Sequence, residues 1–506
     1  MKKYIIPFVS FIILGASAVM GQARKPEPAS PEEISKLKAA VVAKPENVDA
    51  HKAYIKAAGA TEETVQAQYD AWIKEYPKSD VIPFAIGEAL CNHENPKARP
   101  YLLETVKRNP TRADAWMDLS TDAERWGEFD KATEFLAKAM EAAPEDPNYA
   151  FYYAMKFDDS DPAKYEKLSL EITKRFPESQ RTGQALYWLA FRLKDPAKKM
   201  KYAEMMATDF PPEKYNWSKW GMDYYYELLF PKDIEKALKL TERMKNLPGA
   251  EDAEKAEWTR RQLVAQKFKE AKALRAQPGK AISLLEGLNT RRDAVAAEEI
   301  ALLKASLNAA AGRSQAAYDS LLKFQASKPS DKIGDALNGY ASKLGKNKET
   351  VQSDLWTLRD QKAKQATPFT LDGYFTSNKI SLSDYKGKVI LLTYWFPGCG
   401  PCRGEFPHFE NVLKKFKGKD VVYLGINIFR DQDPYVIPFL KSSGYSFTPL
   451  GEDVKRDKGN LPSPGAPTNY LIDQDGRIIY SNFMIHGDNE RMLELMIESM
   501  LTKKTS

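Results

Sequence analysis

Two cysteines three positions apart constrain this chain more than any other feature. Cys399 and Cys402 flank the dipeptide Gly400-Pro401. The apolar run just upstream, Val389 to Leu392, predicts a buried parallel strand. Downstream, apolar residues recur at helical spacing from Phe406 to Phe416. The cysteine pair is therefore predicted to lie where a strand ends and a helix begins.

That position favours a specific chemistry. The first turn of a helix carries unpaired N–H groups at the positive end of the macrodipole, which lowers the pKa of a thiol at Cys399. Cys402 lies on the same helix face, close enough to form a disulfide. Pro401 suits a first turn, because its missing N–H would have had no helical partner. We expect thiol–disulfide exchange, in which Cys399 attacks a substrate disulfide and Cys402 resolves the mixed disulfide.

A zinc site and a purely structural disulfide are the alternatives to a redox-active pair, and both have less support. Zinc needs four ligands, and the three cysteines of the chain provide no second pair. A structural disulfide seldom closes so short a loop at the start of a helix. The pattern therefore favours a redox-active pair.

The residues around the pair resemble a known family. The stretch Trp395-Phe396-Pro397-Gly398-Cys399-Gly400-Pro401-Cys402 looks like a thioredoxin-fold active site, and Arg403 to Pro407 is similar to the TlpA/ResA-like thiol–disulfide oxidoreductases. Gly465 to Asp473 resembles the family's cis-proline segment and the strand after it. Asp475-Gly476 is typical of a turn between two strands. The resemblance covers roughly 140 residues, from about Pro368 to the end.

The resemblance implies a set of site residues and a role for each. The catalytic residues would be Cys399, Cys402 and Glu405, and the substrate-binding residues Trp395, Pro401, Ala466 and Pro467. Glu405 would act as general base towards Cys402. Ala466 would offer backbone groups to a bound chain, next to a cis Pro467, although only about 5–6% of X–Pro bonds are cis. Apart from the Cys399–Cys402 disulfide, we expect no cofactor and no metal.

Three positions depart from related patterns. Gly398 stands where family members usually carry Trp, and Thr393 where cytoplasmic thioredoxins carry a buried Asp. Proton transfer is therefore assigned to Glu405, with a solvated helix residue as the alternative. A peroxiredoxin is set aside, because Phe396 occupies a position where that class needs Ser or Thr.

Residues 1–23 predict a secretory signal peptide: two lysines, a short apolar core and small residues near Gly21. An uncleaved membrane anchor is the alternative. Export predicts an extracytoplasmic, periplasmic protein. A reducing enzyme there would need electrons from a membrane or exported thiol donor.

Residues 24–347 predict helical repeats. Prolines recur 32 to 34 residues apart from Pro45 to Pro211, which is tetratricopeptide spacing. The best copy runs from Ala113 to Pro144, and the period blurs between about Trp217 and Ile300. We expect about eight to nine units, whose surface binds a protein or peptide partner. The aromatic cluster Trp217, Trp220, Tyr224, Tyr225 and Tyr226 belongs either to that surface or, preferably, to the packing between repeats.

The predicted fold class has two parts: an N-terminal all-α helical-repeat solenoid and a C-terminal α/β thioredoxin-like fold. Residues 348–367 predict a linker helix, and residues 368–506 the thioredoxin-like domain. The net charge of +6 is spread along the chain, so nucleic acid is not expected as a partner. Cys91 is predicted to be a buried helix residue rather than a ligand, and His408 and His486 are predicted to be structural or solvated.

Together these patterns predict an exported thiol–disulfide oxidoreductase that reduces disulfide-containing proteins, with repeats that recruit a partner. The alternative is a repeat-based binding scaffold that carries a redox-sensing thioredoxin-like domain.

Overall fold

The structure is a computed structural model that describes residues 29–503. The predicted signal peptide, residues 1–23, lies outside the described residues. Within residues 29–503, no helix is both long and apolar enough to cross a membrane.

An all-α array forms the N-terminal part, as predicted. In the described chain, nineteen helices precede the first strand: α1 (Pro31–Ala43), α2 (Val48–Ala58), α3 (Glu63–Glu75), α4 (Val81–Asn92), α5 (Ala98–Arg108), α6 (Ala113–Arg125), α7 (Phe129–Ala142), α8 (Pro147–Met155), α9 (Pro162–Arg175), α10 (Gln180–Arg192), α11 (Pro196–Thr208), α12 (Asn216–Leu229), α13 (Ile234–Lys245), α14 (Asp252–Ala273), α15 (Pro278–Leu285), α16 (Ala294–Ala310), α17 (Ser314–Ser327), α18 (Asp331–Lys343) and α19 (Lys348–Asp360). Most consecutive helices pack against each other, and α4 also packs against α2 and α6.

The best predicted repeat forms a helix pair. Its two helices are α6 and α7, joined by a turn at Gly127, whose φ is +75°. Ala132, Leu136 and Ala139 of α7 are fully buried. Small residues at such positions let two helices approach closely, and the larger one fills the remaining gap.

Unequal helix lengths explain why the period blurs between about Trp217 and Ile300. There α14 has 22 residues and α15 has eight. A long helix followed by a short one shifts the repeat signals out of register, although the helices still pack as neighbours.

The C-terminal part is a mixed sheet with three α-helices. Its elements are β1 (Lys364–Gln365), β2 (Thr370–Gly373), β3 (Lys379–Ser381), β4 (Val389–Trp395), α20 (Gly400–Lys414), β5 (Val421–Asn427), α21 (Asp433–Ser443), β6 (Thr448–Gly451), β7 (Thr468–Ile472), β8 (Arg477–Ser481) and α22 (Glu490–Leu501). The strand order is β1-β8-β7-β4-β5-β6-β2-β3. β4 is parallel to β5 and antiparallel to β7. This is the predicted thioredoxin-like fold.

The central strand β4 is buried along its whole length. One face of β4 packs towards α20, α21 and α22 and carries Val389, Leu391 and Trp395. The opposite face packs with apolar residues around the β2–β3 hairpin and carries Ile390, Leu392 and Tyr394. Burial on both faces explains why the sequence there is a continuous apolar run rather than an alternating one.

The segment between the two parts is more closely packed than a linker need be. Helix α19, inside the predicted linker of residues 348–367, contributes Val351 and Leu355 to an apolar cluster with α17 and α18. The exact domain boundaries stay a prediction.

The helical array contacts the edge of the C-terminal domain at which α20, α21 and α22 begin. Arg403 donates to Glu124 at 2.8 Å, Lys199 to Asp488 at 2.7 Å, and Arg491 to Asp331 at 3.0 Å. Rings also meet across this boundary, where Trp126 lies against Tyr435 with centroids 4.7 Å apart. The same edge carries the cysteine pair.

Candidate active site

Cys399 and Cys402 lie where the sequence predicts them. β4 ends at Trp395, α20 begins at Gly400, and Cys399 is the N-cap of α20. A disulfide joins the two cysteines, and the backbone N–H of Cys402 points at Cys399 Sγ at 3.2 Å. Cys399 is 3% exposed and Cys402 is fully buried. In the reduced state, the same N–H group and the start of α20 would stabilise a thiolate at Cys399.

Glu405 lies one turn further along α20 and is buried, with 2% of its surface exposed. Its Oε2 accepts a hydrogen bond from Asn469 Nδ2 at 2.9 Å, and its Oε1 accepts one from the Ile485 N–H at 2.8 Å. Burial raises the pKa of Glu405 to about 7, although the two hydrogen bonds act in the opposite direction. A carboxyl with this pKa can accept or release a proton near neutral pH.

Asn469 is a site residue that the sequence alone did not single out. The β4–β7 register places it opposite Thr393, whose hydroxyl donates to Asn469 Oδ1 at 2.9 Å. This bond fixes the amide so that its NH₂ faces Glu405. Pairing the two predicted strands, with Thr393 on one and Asn469 on the other, would have been the signal.

The Ala466–Pro467 peptide bond is cis, as the resemblance implies. Both residues are half-buried, in a loop that ends at β7. Gly465, Gly400 and Pro401 are exposed. Backbone groups and Pro401 are thus accessible on this side of the molecule.

Trp395 requires a correction. The sequence-based prediction gives it a substrate contact, but its side chain is fully buried. It packs among Phe406, Phe439 and Phe447, with ring centroids 4.9 to 5.5 Å from its own. Because Trp395 is on the face of β4 that packs against α20, α21 and α22, its indole supports the core beneath the cysteines and does not reach the surface above them.

The helical array reaches the loop that precedes Cys399. The backbone N–H of Gly398 donates to Gln432 Oε1 at 2.7 Å, and Gln432 Nε2 donates to Glu94 of the array. Nearby, Arg403 donates to the Pro397 carbonyl at 2.8 Å as well as to Glu124. No pattern in the sequence indicates these contacts.

The residues predicted to be structural are accounted for by packing. Cys91 is a buried free thiol in α4, and burial raises its pKa to about 12. His408 Nδ1 lies 2.7 Å from Glu490 Oε1, and the His486 ring packs on Phe191. Among residues 29–503, no group of three or more His, Cys, Asp or Glu side chains is placed to hold a metal ion.

The aromatic cluster of α12 belongs in part to the packing between repeats, as preferred from the sequence, and in part to a contact with the C-terminal domain that was not predicted. Tyr225 and Tyr226 are buried in the array core. Tyr224 donates to Asp488 of the C-terminal domain at 3.0 Å, and Trp220 is 40% exposed. The cluster therefore serves both repeat packing and the contact between the two parts.

The C-terminal part is similar to known proteins. Residues 362–481 match the AhpC/TSA family. The thioredoxin-like protein YneN of Bacillus subtilis (strain 168) is 31% identical over 138 residues, which are 27% of this chain and 80% of YneN. The chain belongs to the AhpC/TSA family. Its AhpC/TSA domain carries the cysteine pair, Glu405 and the cis peptide bond.

Other similar proteins match the AhpC/TSA domain over shorter lengths or by structure. The thiol-disulfide oxidoreductase ResA of Bacillus subtilis (strain 168) is 32% identical over 101 residues, 20% of this chain. The chain spans 56% of the length of that ResA. A crystal structure of a putative thiol:disulfide interchange protein DsbE from Chlorobium tepidum is 29% identical, with a TM-score of 0.25, and the match covers 28% of this chain and 96% of that one.

Proposed function

We propose that this protein is a thiol–disulfide oxidoreductase that reduces disulfides in protein substrates. The observation that carries the proposal is the juxtaposition of the Cys399–Cys402 disulfide, at the start of α20, with the buried carboxyl of Glu405. The names of the ResA relatives, thiol-disulfide oxidoreductases, support the same activity.

The proposed reaction begins with the reduced pair. The Cys399 thiolate attacks a substrate disulfide, forms a mixed disulfide with one sulfur and releases the other as a thiolate. Cys402 then loses its proton and attacks Cys399 Sγ, which frees the second substrate sulfur and forms the Cys399–Cys402 disulfide. Two electrons pass to the substrate. A thiol donor must then supply two electrons to reduce the Cys399–Cys402 disulfide before the next cycle.

Glu405 is the proposed acceptor of the Cys402 proton. It lies on α20, three residues after Cys402, and its pKa of about 7 lets it be either protonated or ionised at neutral pH. The Asn469 side chain and the Ile485 N–H each donate a hydrogen bond to one oxygen of the Glu405 carboxyl, which holds that group in place. Thr393 keeps the Asn469 amide in the required orientation.

A substrate chain is proposed to bind along the exposed loop beside the pair. Ala466 would offer its backbone groups as a short β-augmentation, next to Pro467 and Pro401. Trp395 is left out, because its side chain is buried.

We further propose that residues 1–23 direct export to an extracytoplasmic compartment, where a membrane or exported thiol donor re-reduces the pair. The helical array is proposed to be built of tetratricopeptide-like repeats that recruit a partner protein. The recurring prolines and the paired helices support this assignment.

The first test is equilibration of the full chain with glutathione or dithiothreitol. We expect a single two-electron transition of the Cys399–Cys402 pair, which thiol alkylation and mass spectrometry can follow. A reduction potential near that of thioredoxin, about −270 mV, would fit a protein that reduces its substrates. A pair that never equilibrates would contradict the proposal and favour the scaffold alternative.

The roles of the two cysteines can be separated by substitution. Cys399→Ser should abolish disulfide reduction, whereas Cys402→Ser should accumulate mixed disulfides with substrates, because the resolving thiol is gone. Cys91→Ser is the control for the loss of a thiol, since this buried cysteine takes no part in the proposed exchange. The assigned roles would be refuted if Cys399→Ser accumulated mixed disulfides with substrates, or if Cys402→Ser accumulated no mixed disulfides.

A further inference from the structure

Glu94 has a backbone conformation that glycine usually adopts. It lies in the turn between α4 and α5, with φ of +54°. Gly127 occupies the equivalent turn between α6 and α7, 33 positions later, with φ of +75°. The two turns share one hydrogen-bond pattern, in which each residue's N–H donates to the carbonyl three residues back, at 2.9 Å for Glu94 and 3.0 Å for Gly127. One repeat thus carries a carboxylate where the next carries glycine, despite the cost of a side chain in this region.

The residue that faces Glu94 is a glycine, which leaves room for the Glu94 side chain. Gly398, directly before Cys399, has no side chain, and a Cβ built there would lie 2.5 Å from the carboxyl carbon of Glu94. A Cβ on Gly404, in the same helix as Cys402, would meet no described atom within 4 Å. Space at Gly398 is therefore taken up by the Glu94 carboxylate.

Hydrogen bonds connect these two residues through Gln432. Gln432 is buried and precedes α21. Its amide oxygen accepts from the Gly398 N–H, and its NH₂ group donates to the Glu94 carboxylate. The carboxylate thereby fixes the orientation of the amide that holds the loop before Cys399.

The charges around Glu94 leave its negative charge only partly balanced. Arg125 Nη2 is 3.9 Å from Glu94 Oε1, and Arg125 also donates to the Cys91 carbonyl at 2.8 Å. Arg403 is paired with Glu124. Although burial acts against it, Lys156 and Arg403 lower the pKa of the Glu124 carboxyl to about 2, so this second array carboxylate is ionised.

We propose that Glu94 of the helical array is a positioning residue of the redox site, which holds the Gly398 loop through Gln432 and keeps the Cys399–Cys402 pair more reducing than it would be without the array contact. The inference rests on the proposed exchange reaction. Its physical basis is that a nearby negative charge disfavours the Cys399 thiolate, which favours the disulfide over the dithiol.

The test compares full-length variants in glutathione equilibration. Glu94→Gly removes the carboxylate and supplies the residue suited to this backbone conformation. We expect its equilibrium constant to shift at least threefold towards the reduced pair, with a lower thiolate pKa for Cys399 by ultraviolet absorbance; a tenfold shift corresponds to about 30 mV. Glu94→Gln keeps an acceptor for Gln432 and removes the charge, so we expect most of the same shift in the same direction.

A double-mutant cycle tests the contact itself. Gly398→Ala should shift the equilibrium in the same direction as Glu94→Gly, because the new methyl group displaces the carboxylate. The double variant should show much less than the sum of the two effects, because the clash no longer exists. Gly404→Ala is the matched glycine control in open space, with no expected shift.

The outcomes are distinguishable. If wild type equilibrates and the equilibrium constants of Glu94→Gly and Glu94→Gln lie within twofold of the wild-type value, the role of Glu94 is overturned. The proposed function is then still intact. Additive effects in the cycle would also overturn it, since independent sites add. Wild type that fails to equilibrate would overturn the proposed function itself, and the inference with it.

Discussion

At the scale of single residues, Glu405 links pH to stability. Its pKa in the folded protein is about 7, above the ordinary value of 4.5, because the carboxyl is buried. The folded state therefore holds this proton more tightly than the unfolded state does. The resulting stabilisation is fully present below pH 4.5 and is lost as the pH rises through about 7.

Substitution of Glu405 should remove this pH dependence. Relative to Glu405→Gln, we expect wild type to lose about 3 kcal/mol of unfolding free energy between pH 4 and pH 8. Denaturant titrations of both proteins across that range measure the difference. Glu145→Gln, at an exposed array carboxyl, is the control. Parallel pH profiles for wild type and Glu405→Gln would show that Glu405 does not titrate in this window.

The same residue should govern the rate of exchange. If Glu405 accepts the Cys402 proton, Glu405→Gln should lower the rate of disulfide reduction by about 100-fold near neutral pH. The dependence of the rate on a group with a pKa of about 7 should also disappear. Stopped-flow reduction of a model disulfide between pH 5 and pH 9 provides the profile, and an unchanged profile would exclude Glu405 from proton transfer.

At the scale of elements, β4 and α20 form a single support for the cysteines. Trp395, the last residue of β4, is fully buried among three phenylalanines. Trp395→Ala should lower the free energy of unfolding by about 3–5 kcal/mol, because it leaves a large cavity under the pair. Trp220→Ala, at a partly exposed indole of α12, should cost only about 1 kcal/mol. Similar losses in denaturant unfolding would contradict the packing role of Trp395.

Elements with strong local patterns were predictable from the sequence. β5 (Val421–Asn427) coincides with an apolar run in the sequence, and α21 (Asp433–Ser443) is helical, because such patterns act over a few residues. α21 continues through Pro438, which lies inside the helix. The turn at Gly476, whose φ is +79°, also agrees.

Features that depend on distant residues were not predictable. Gln432 meets Glu94 across more than half of the chain, and no local periodicity marks such a pair. The buried indole of Trp395 was misassigned because a motif shows which residues surround a site but not which way each one points. Asn469 lay between these cases, since strand pairing was needed to connect it to Glu405.

At the scale of the whole molecule, the array and the AhpC/TSA domain approach each other closely at Gly127. A Cβ on Gly127 would lie 2.7 Å from the carbonyl oxygen of Phe439 in α21, whereas one on Gly312 would meet no described atom within 4 Å. Both glycines have left-handed backbones, with φ of +75° and +77°. They form a matched pair in which only one touches the other domain.

Alanine at these two positions should therefore measure the contact. Each substitution costs about 1–2 kcal/mol for the backbone conformation. Gly127→Ala should cost about 1–3 kcal/mol more, because its methyl group pushes against α21. Denaturant unfolding of the two full-length variants measures the difference. Equal losses would mean that the array and the AhpC/TSA domain do not pack together in solution.

The burial of Cys91 has a consequence for how the chain matures. On the proposed export route, all three cysteines meet an oxidising compartment. Helical repeats form from local contacts and fold quickly, whereas the mixed sheet around β4 depends on distant strand pairings and folds more slowly. Once α4 has folded, it encloses the Cys91 thiol, whose raised pKa keeps it protonated and unreactive. We therefore expect early folding of the array to guard against a wrong disulfide between Cys91 and the Cys399–Cys402 pair.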